Sequence, residues 1–343
     1  MVSRRCKTEE AMTPSSQETS LTFHRLLLLS WVIQWSSCTP SCFHSTGYSG
    51  QATYTCSGLR SSADLVENFK PNRSATEGGR LKLLLENSVL DSVPQGIFAG
   101  LGVSTLQLDN VELTGTWSST EPTPLRGLEA TLKKVVFSHN STVPRNWVLF
   151  LDGMTELVEM VFFDMSGLRF TSTSQEGLPR TLRKLHLVRS SIASADDYWL
   201  SSLVDLETLS LRHVNLTAFA RTVLPTVAAK LETLLLEDCS LTSFPSGLAK
   251  GLPSLKYVGL QKNQIVQLGS DEVSPLINKG VVLQLRGNPL SCDCHLQFLF
   301  ENSRRHSVYG QCDAPTALKG RSLRALSERD LAPCARRQAT QSL

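Results

Sequence analysis

The side chains in this sequence that could do chemistry are its seven histidines, its nine cysteines and two pairs of adjacent acidic residues. His186 and His213 fall on outward positions of neighbouring predicted strands, where either could meet a carboxylate such as Glu207 or Asp164 and act as a general base. No G-x-S-x-G, H-E-x-x-H or phosphate-binding loop accompanies them. We therefore interpret the histidines as solvated, and we expect neither catalysis nor a cofactor. The acidic pairs are also interpreted as solvated charges: Asp196-Asp197 and Glu237-Asp238.

The cysteines are concentrated near the two ends of the chain. Cys42 and Cys56 lie close enough in sequence to pair in an N-terminal cap. Near the C-terminus the order is C-x-C, 17 residues, C, 21 residues and C. These four cysteines allow three disulfide pairings, and a zinc site that includes His295 is the alternative. Disulfides are favoured if the chain is secreted, because secreted proteins fold in an oxidising compartment. The C-terminal cysteines are Cys292, Cys294, Cys312 and Cys334.

An apolar run of ten residues from Leu26 to Trp35 follows His24 and Arg25. It is too short to span a membrane and has the length of a secretory signal core. We predict cleavage after Cys38, with Met12 as an alternative start of translation. A cut before Cys38 would instead leave three cysteines in the N-terminal cap.

Repeats position these residues. Residues 231–241, LETLLLEDCSL, match the leucine-rich-repeat consensus L-x-x-L-x-L-x-x-N/C-x-L without a mismatch. Cys239 occupies the N/C position, here called the rung. It is either a reactive thiol or a small inward-facing side chain, and the second interpretation is favoured.

The chain contains nine copies of this pattern, separated by intervals of 23, 29, 25, 25, 24, 25, 24 and 25 residues. The extra length of the second repeat lies in residues 115–124, which we predict to form a loop. Three rungs are apolar (Val111, Met165 and Val214), and we expect looser turns there. The fourth-place residues, which should align across strands, are Leu83, Leu106, Val135, Met160, Leu185, Leu209, Leu234, Val258 and Leu283.

These repeats predict an α/β solenoid, a leucine-rich-repeat horseshoe with a parallel concave sheet and disulfide-bonded caps. The net charge of +3 and the lack of Lys/Arg runs argue against nucleic-acid binding. No apolar stretch follows the last cysteine, so we expect a secreted extracellular protein with no transmembrane segment. The predicted divisions are a signal peptide (1–38), an N-terminal cysteine cap (39–79), the repeats (80–290), a C-terminal cysteine cap (291–335) and a polar tail (336–343).

The segment NPLSCDCHLQFL, from Asn288 to Leu299, resembles the C-terminal flanking cap of extracellular leucine-rich-repeat proteins. That resemblance implies pairing of Cys292 with Cys312 and of Cys294 with Cys334. The stretches LLLENSVLDSVPQGIFAGL and LQLDNVELTG also look like arthropod proteins similar to the oplophorus-luciferin 2-monooxygenase non-catalytic subunit, which implies an accessory role beside a separate catalytic subunit. A soluble innate-immune protein similar to Toll-type ectodomains and a matrix protein are further alternatives.

Binding is expected on the concave face, where outward residues of adjacent strands form an apolar strip with charges on either side. Such a patch marks contact with an extracellular protein or glycan ligand, although valines there could simply be good strand formers. Phe163 is the strongest candidate. Of three N-x-S/T sequons, we expect glycans on Asn72 and Asn215 but not on Asn140, which occupies a rung position. The predicted partner-binding residues are Val136, Val161, Phe163, His186, Val188 and Arg212.

Overall fold

The structure is a computed structural model that describes residues 39–46, 51–71, 81–115, 124–143, 147–172, 177–216 and 218–331. Several predicted features lie outside these residues. They are the signal peptide, most of the loop at 115–124, Asn72, Cys334 and the polar tail.

One long sheet dominates the described part of the chain and contains twelve strands. Every strand is parallel to its neighbour except the first, which runs antiparallel to the second. The strands, in spatial order, are β1 (Ser41–Thr46), β2 (Ala52–Ser57), β3 (Leu81–Leu90), β4 (Val103–Leu113), β5 (Lys134–Ser138), β6 (Glu159–Phe163), β8 (Lys184–Val188), β10 (Thr208–Arg212), β11 (Thr233–Glu237), β12 (Tyr257–Gly259), β13 (Val282–Gln284) and β15 (Val308–Tyr309).

The register of this sheet confirms the predicted repeats. Leu83 pairs with Leu106, and each following fourth-place residue pairs with the next, as far as Val258 with Leu283. The fourth- and sixth-place side chains are buried, whereas the residues between them lie on the outer side of the sheet and are half-buried, except Ser210 and Gly259, which are buried. Alternation along each strand therefore directs the leucines into a continuous core, and stacking supplies the burial that one repeat lacks.

Behind the sheet, the chain returns mostly through turns and short segments. The helices are α1 (Ser62–Asn68), α2 (Trp147–Phe150), α3 (Ser270–Asn278) and α4 (Glu328–Leu331). Two small parallel sheets pair β7 (Leu168–Phe170) with β9 (Ile192–Ala195) and β14 (Leu290–Ser291) with β16 (Cys312–Ala314). Among the described helices, none has the length and apolar content needed to cross a membrane.

In each repeat a residue with positive φ directly precedes the rung. The apolar rungs do not loosen this turn in the backbone: φ is 52° at Asn110, before Val111, and 55° at Lys262, before the asparagine rung Asn263. The left-handed turn is therefore shared by polar and apolar rungs. Asn, Asp and His tolerate this conformation better than most residues, and they occupy many of these positions.

The third repeat departs from the predicted register at this turn. His139 and Asn140 both have positive φ, at 50° and 59°, so the turn is one residue longer there. Ser141, not Asn140, is buried at the rung, where its hydroxyl accepts a hydrogen bond from the Val111 N–H at 3.0 Å. The prediction that Asn140 points inward is wrong. Its side chain is exposed, and its Oδ1 accepts from the N–H and hydroxyl of Ser166.

Disulfides close both ends of the solenoid. Cys42 and Cys56 face each other across the β1–β2 pair and are bonded. At the other end Cys292 is bonded to Cys312, which joins the beginning of the cap to β16. Cys294 is also disulfide-bonded, and its predicted partner lies outside the described residues. The bond between Cys292 and Cys312 removes two ligands of the alternative zinc site.

Candidate functional site on the concave face

The residues on the outward side of the main sheet, here called the concave face, form three rows that cross β3, β4, β5, β6, β8 and β10. Most are half-buried or exposed, but Ser138 and Ser210 are buried beneath their neighbours. Each row follows from the strand register. The lower row is Lys82, Thr105, Lys134, Glu159, Lys184 and Thr208; the middle row is Leu84, Gln107, Val136, Val161, His186 and Ser210; the upper row is Glu86, Asp109, Ser138, Phe163, Val188 and Arg212.

The structure brings the six predicted partner-binding residues together on this face. Val136, Val161 and His186 are consecutive in the middle row. Phe163, Val188 and Arg212 are consecutive in the upper row. Arg212 is exposed and the other five are half-buried. Their partial burial leaves an apolar strip open to solvent, with charged side chains above and below it.

Phe163 lies at the centre of a cluster that the sequence did not single out. The guanidinium of Arg189 stands over its ring, 4.3 Å from the centroid, and His139 meets the ring edge-on at 5.7 Å between centroids. Asp164 holds Arg189 through two hydrogen bonds, Nε to Oδ1 at 2.7 Å and Nη2 to Oδ2 at 2.5 Å. A cation–π contact of this kind attracts the guanidinium to the face of the ring and so holds the two side chains together.

His139 and Arg189 both sit at the positive-φ turn position of their repeats. The alternation of inward and outward residues holds within a strand but not in the turn that follows it, so it did not predict the positions of His139 and Arg189. The sequence signal that could have located these two residues is the polar residue that recurs at the turn before the rung.

Ion pairs between adjacent strands fix many charges of the concave face. Lys134 pairs with Glu159 at 2.7 Å, and Arg212 with Glu237 at 3.2 Å. Pairs this exposed contribute about 0–1 kcal/mol each to stability. Their main effect is to hold long side chains in defined positions around the apolar strip.

The two histidines considered as possible bases have other carboxylate partners than those predicted. The Nε2 of His186 lies 3.9 Å from Glu159, and the Nδ1 of His213 lies 2.9 Å from Asp238. Burial, opposed by Glu159 and supported by nearby cations, lowers the pKa of His186, so this imidazole is neutral at pH 7. Within the described ranges no group of three or more His, Cys, Asp or Glu side chains is arranged to hold a metal ion.

The acidic pairs, predicted to be solvated charges, form ion pairs and hydrogen bonds within the chain. Glu237 and Asp238 hold Arg212 and His213 as described above. Asp196 accepts hydrogen bonds from the N–H and hydroxyl of Ser172 and from the N–H of Tyr198. Burial opposes ionisation of Asp196, but these hydrogen bonds outweigh it and lower its pKa. Asp196 therefore closes a turn rather than standing free in solvent.

Cys239 fills its rung position as predicted. It is buried and unpaired, and its thiol donates to the carbonyls of Leu211 and Glu237 at 3.2 and 3.3 Å. Burial raises the pKa of this thiol to about 11. The reactive-thiol interpretation is wrong, because a reactive cysteine needs an accessible thiolate.

A groove of about 450 Å³ opens over β3 to β6, beside Phe163. Val136, Val161 and Phe163 form its apolar wall, and Lys82 and Lys134 lie along its lower edge. A concave site with an apolar wall and a few polar groups has the features of a binding site for part of a partner molecule.

The asparagines of two of the three sequons lie within the described residues, and both are exposed. Asn215 is exposed, one residue past the rung Val214, in keeping with the predicted glycan. Asn140 is exposed as well, so burial no longer argues against modification there.

Comparison with known proteins gives limited matches. None of the protein-family models matches the chain. Human chondroadherin is 31% identical over 96 residues, a segment that covers 27% of this chain and 26% of chondroadherin. The chain thus aligns with about a quarter of the length of that relative.

Among solved structures, a chain of the octameric complex of Latrophilin 3, Unc5D and FLRT2 (LRR) has a TM-score of 0.49 at 17% identity, over 82% of this chain and 90% of that one. A Leptospira interrogans leucine-rich-repeat protein has a TM-score of 0.46 at 19% identity, over 73% of this chain and 56% of that one. The assignment of this chain as a leucine-rich-repeat solenoid rests on its own strand register.

Proposed function

We propose that this chain is a secreted, non-enzymatic interaction scaffold that binds an extracellular partner through the concave face, with Phe163 at the centre of the contact. The observation that carries the proposal is the half-buried strip of Val136, Val161, Phe163 and Val188, surrounded by oriented charges. Buried aromatic anchors with a polar rim supply most of the binding energy in protein interfaces.

Secretion is supported by the disulfides and by the predicted signal core. The Cys42–Cys56 and Cys292–Cys312 bonds persist in oxidising compartments and are rare in the cytosol. An interaction role is supported by the rigid face that stacked repeats present, since the leucine core fixes the strands beneath it.

The test begins with photo-crosslinking of the purified full chain in extracellular fluid. The proteins captured distinguish an enzyme subunit, an innate-immune ligand and a matrix component. The affinity of the captured partner is then measured for wild type and Phe163→Ala. We expect a loss of about tenfold or more for Phe163→Ala, as for other aromatic interface anchors.

Tyr198→Ala provides the matched control. Tyr198 is also aromatic and is 57% exposed, but it lies in the return segment after β9. This variant should bind like wild type. Secretion yield and melting temperature of both variants show whether they fold. Equal affinity of a folded Phe163→Ala chain would reject the proposed contact.

A further inference from the structure

The part of the concave face over β3 to β5, which includes one side of the groove, is electrically polarised along the strands. On β3, Lys82 belongs to the lower row, Leu84 to the middle row and Glu86 to the upper row. Each neighbouring strand adds one charge of the same arrangement: Asp109 of β4 is in the upper row and Lys134 of β5 is in the lower row. The charged residues at the lower edge of this part of the face are therefore cations, which line the groove, and those at its upper edge are carboxylates, which lie outside the groove.

Two charged side chains on this part of the face have no ion-pair partner in the ranges that the structure describes. Among the described residues, neither Lys82 nor Glu86 has a side-chain ion pair, in contrast to Lys134 with Glu159 and Asp109 with His139. Both side chains are half-buried. Their charges are thus partly removed from water without the compensation of an opposite charge in contact.

Burial is the largest cause of the pKa shifts of both Lys82 and Glu86. Burial, reinforced by Lys134, lowers the pKa of Lys82, and Asp109 only partly opposes this. Burial and the neighbouring Asp109 raise the pKa of Glu86. An opposite charge placed against either group would relieve the unfavourable interaction, so the free chain is poised to accept a cation at one edge and an anion at the other.

The spacing of the two groups restricts what could satisfy both. Lys82 and Glu86 are separated by four positions on one strand, or about 13 Å at 3.3 Å per residue. An extended segment has the same rise, so its residues at positions i and i+4 would reach the two edges. Its residue at i+2, on the same side, would face Leu84.

We propose that the face of β3, beside the groove, takes an extended segment of a partner protein that carries an acidic and a basic side chain four residues apart, with an apolar side chain midway between them. The acidic residue contacts Lys82 and the basic residue contacts Glu86. This inference rests on the proposed function, since it specifies the chemistry of the partner that the concave face binds.

The experiment selects random nonapeptides, displayed on phage, against the folded full chain. Wild type should enrich acidic–x–apolar–x–basic peptides or the same pattern reversed. Lys82→Glu should enrich peptides with basic residues at both outer positions, and Glu86→Lys peptides with acidic residues at both. Peptides selected on wild type should bind Lys82→Glu about tenfold or more weakly, as expected when one charge pair becomes a repulsion.

Lys250→Glu is the control, because it makes the same change in net charge at an exposed lysine of a return segment. It should select the wild-type pattern. If Lys82→Glu fails to fold, Lys82→Met replaces it and should lose the acidic preference while keeping the apolar one. Melting curves identify the folded variants.

The proposal is overturned if no pattern is enriched, or if Lys82→Glu selects the same peptides as wild type. Loss of peptide binding in Phe163→Ala without any effect of Lys82→Glu would reject this inference and leave the proposed function standing. Unchanged binding in both variants would reject both. A concentration-dependent dimer that Lys82→Glu dissociates would identify a second copy as the occupant and also overturn the proposal.

Discussion

The rungs of the middle repeats and those near the C-terminal cap use different side chains to bond the buried backbone N–H groups of the preceding repeat. In the later repeats one asparagine suffices: the Oδ1 of Asn263 accepts from the N–H groups of Cys239 and Leu241, at 2.9 and 3.1 Å. Its Nδ2 lies within hydrogen-bond distance of the carbonyls of Leu236, Leu260 and Gln261. A single buried amide therefore joins two repeats through five backbone groups.

The middle repeats divide this task between two adjacent hydroxyls. In the third repeat Ser141 accepts from the N–H of Val111, and Thr142 from that of Leu113, at 3.0 and 3.2 Å. In the fifth repeat the two hydroxyls belong to Ser190 and Ser191. They accept from the N–H groups of Met165 and Gly167, at 3.1 and 3.0 Å respectively. Each hydroxyl pair therefore serves the same two places in the preceding repeat that the asparagine serves.

This comparison explains why apolar rungs are tolerated. Val111 and Met165 each precede a repeat that carries a hydroxyl pair, so their backbone N–H groups are bonded without any polar group of their own. Val214 precedes Cys239, whose thiol accepts from the Val214 N–H. A rung side chain satisfies the repeat before it, and polar and apolar rungs can alternate.

The largest expected effect is at the asparagine rung. Asn263→Ala would leave the N–H groups of Cys239 and Leu241 and the carbonyl of Leu236 without this partner in a buried place, because Asn263 is only 4% exposed. The Leu260 carbonyl keeps its hydrogen bond from the Nδ2 of Asn288, at 2.7 Å. We expect the free energy of unfolding to fall by about 3 kcal/mol, measured by urea denaturation. Gln267→Ala, which removes an exposed amide, should change it by less than about 0.5 kcal/mol. A loss below about 1 kcal/mol at Asn263 would show that water replaces the amide.

A smaller effect is expected at the thiol rung, and it depends on pH. Burial raises the pKa of Cys239 from its ordinary 9.0 to about 11, so the folded thiol stays neutral where the unfolded one ionises. Its contribution is complete below pH 9 and is lost as pH rises towards 11. The free energy of unfolding should fall by roughly 2 kcal/mol more in wild type than in Cys239→Ser over this range. Parallel pH profiles of the two chains would contradict this.

The strands and their pairing could be predicted from the sequence because leucine spacing encodes both. Burial requires each fourth-place side chain to stack on the next, so Leu83, Leu106 and their successors had one possible alignment. The turn of the third repeat could not be predicted in the same way. Asn140 matches the rung consensus, whereas the chain inserts a second left-handed residue and buries Ser141.

The candidate site was predictable only in part, for a similar reason. Alternation placed Val136, Val161 and Phe163 on the solvent side of the sheet, where the structure has them. The positions of His139 and Arg189 against the Phe163 ring depend on turn geometry, which periodicity does not encode. That Lys82 has no ion-pair partner within the described part of the chain likewise depends on the side chains that neighbouring strands place within reach.

The smallest effect is expected at a hydroxyl pair, and it tests whether two hydroxyls share the work of one amide. Ser190 is buried, and its Oγ accepts from the Met165 N–H and donates to the Val188 carbonyl at 2.9 Å. Ser190→Ala should lower the free energy of unfolding by about 1 kcal/mol. Ser191 is exposed, so water can replace its hydroxyl, and Ser191→Ala should cost less than about 0.5 kcal/mol.

Urea denaturation of the two serine variants and their double mutant measures how the pair divides its contribution. If the double mutant loses much less than Asn263→Ala, the amide is the stronger rung because it also binds carbonyls of two repeats. Equal losses in the double mutant and in Asn263→Ala would mean that the two N–H groups alone set the stability of the junction. The carbonyl bonds of Asn263 would then add nothing measurable, and the two kinds of rung would be energetically equivalent.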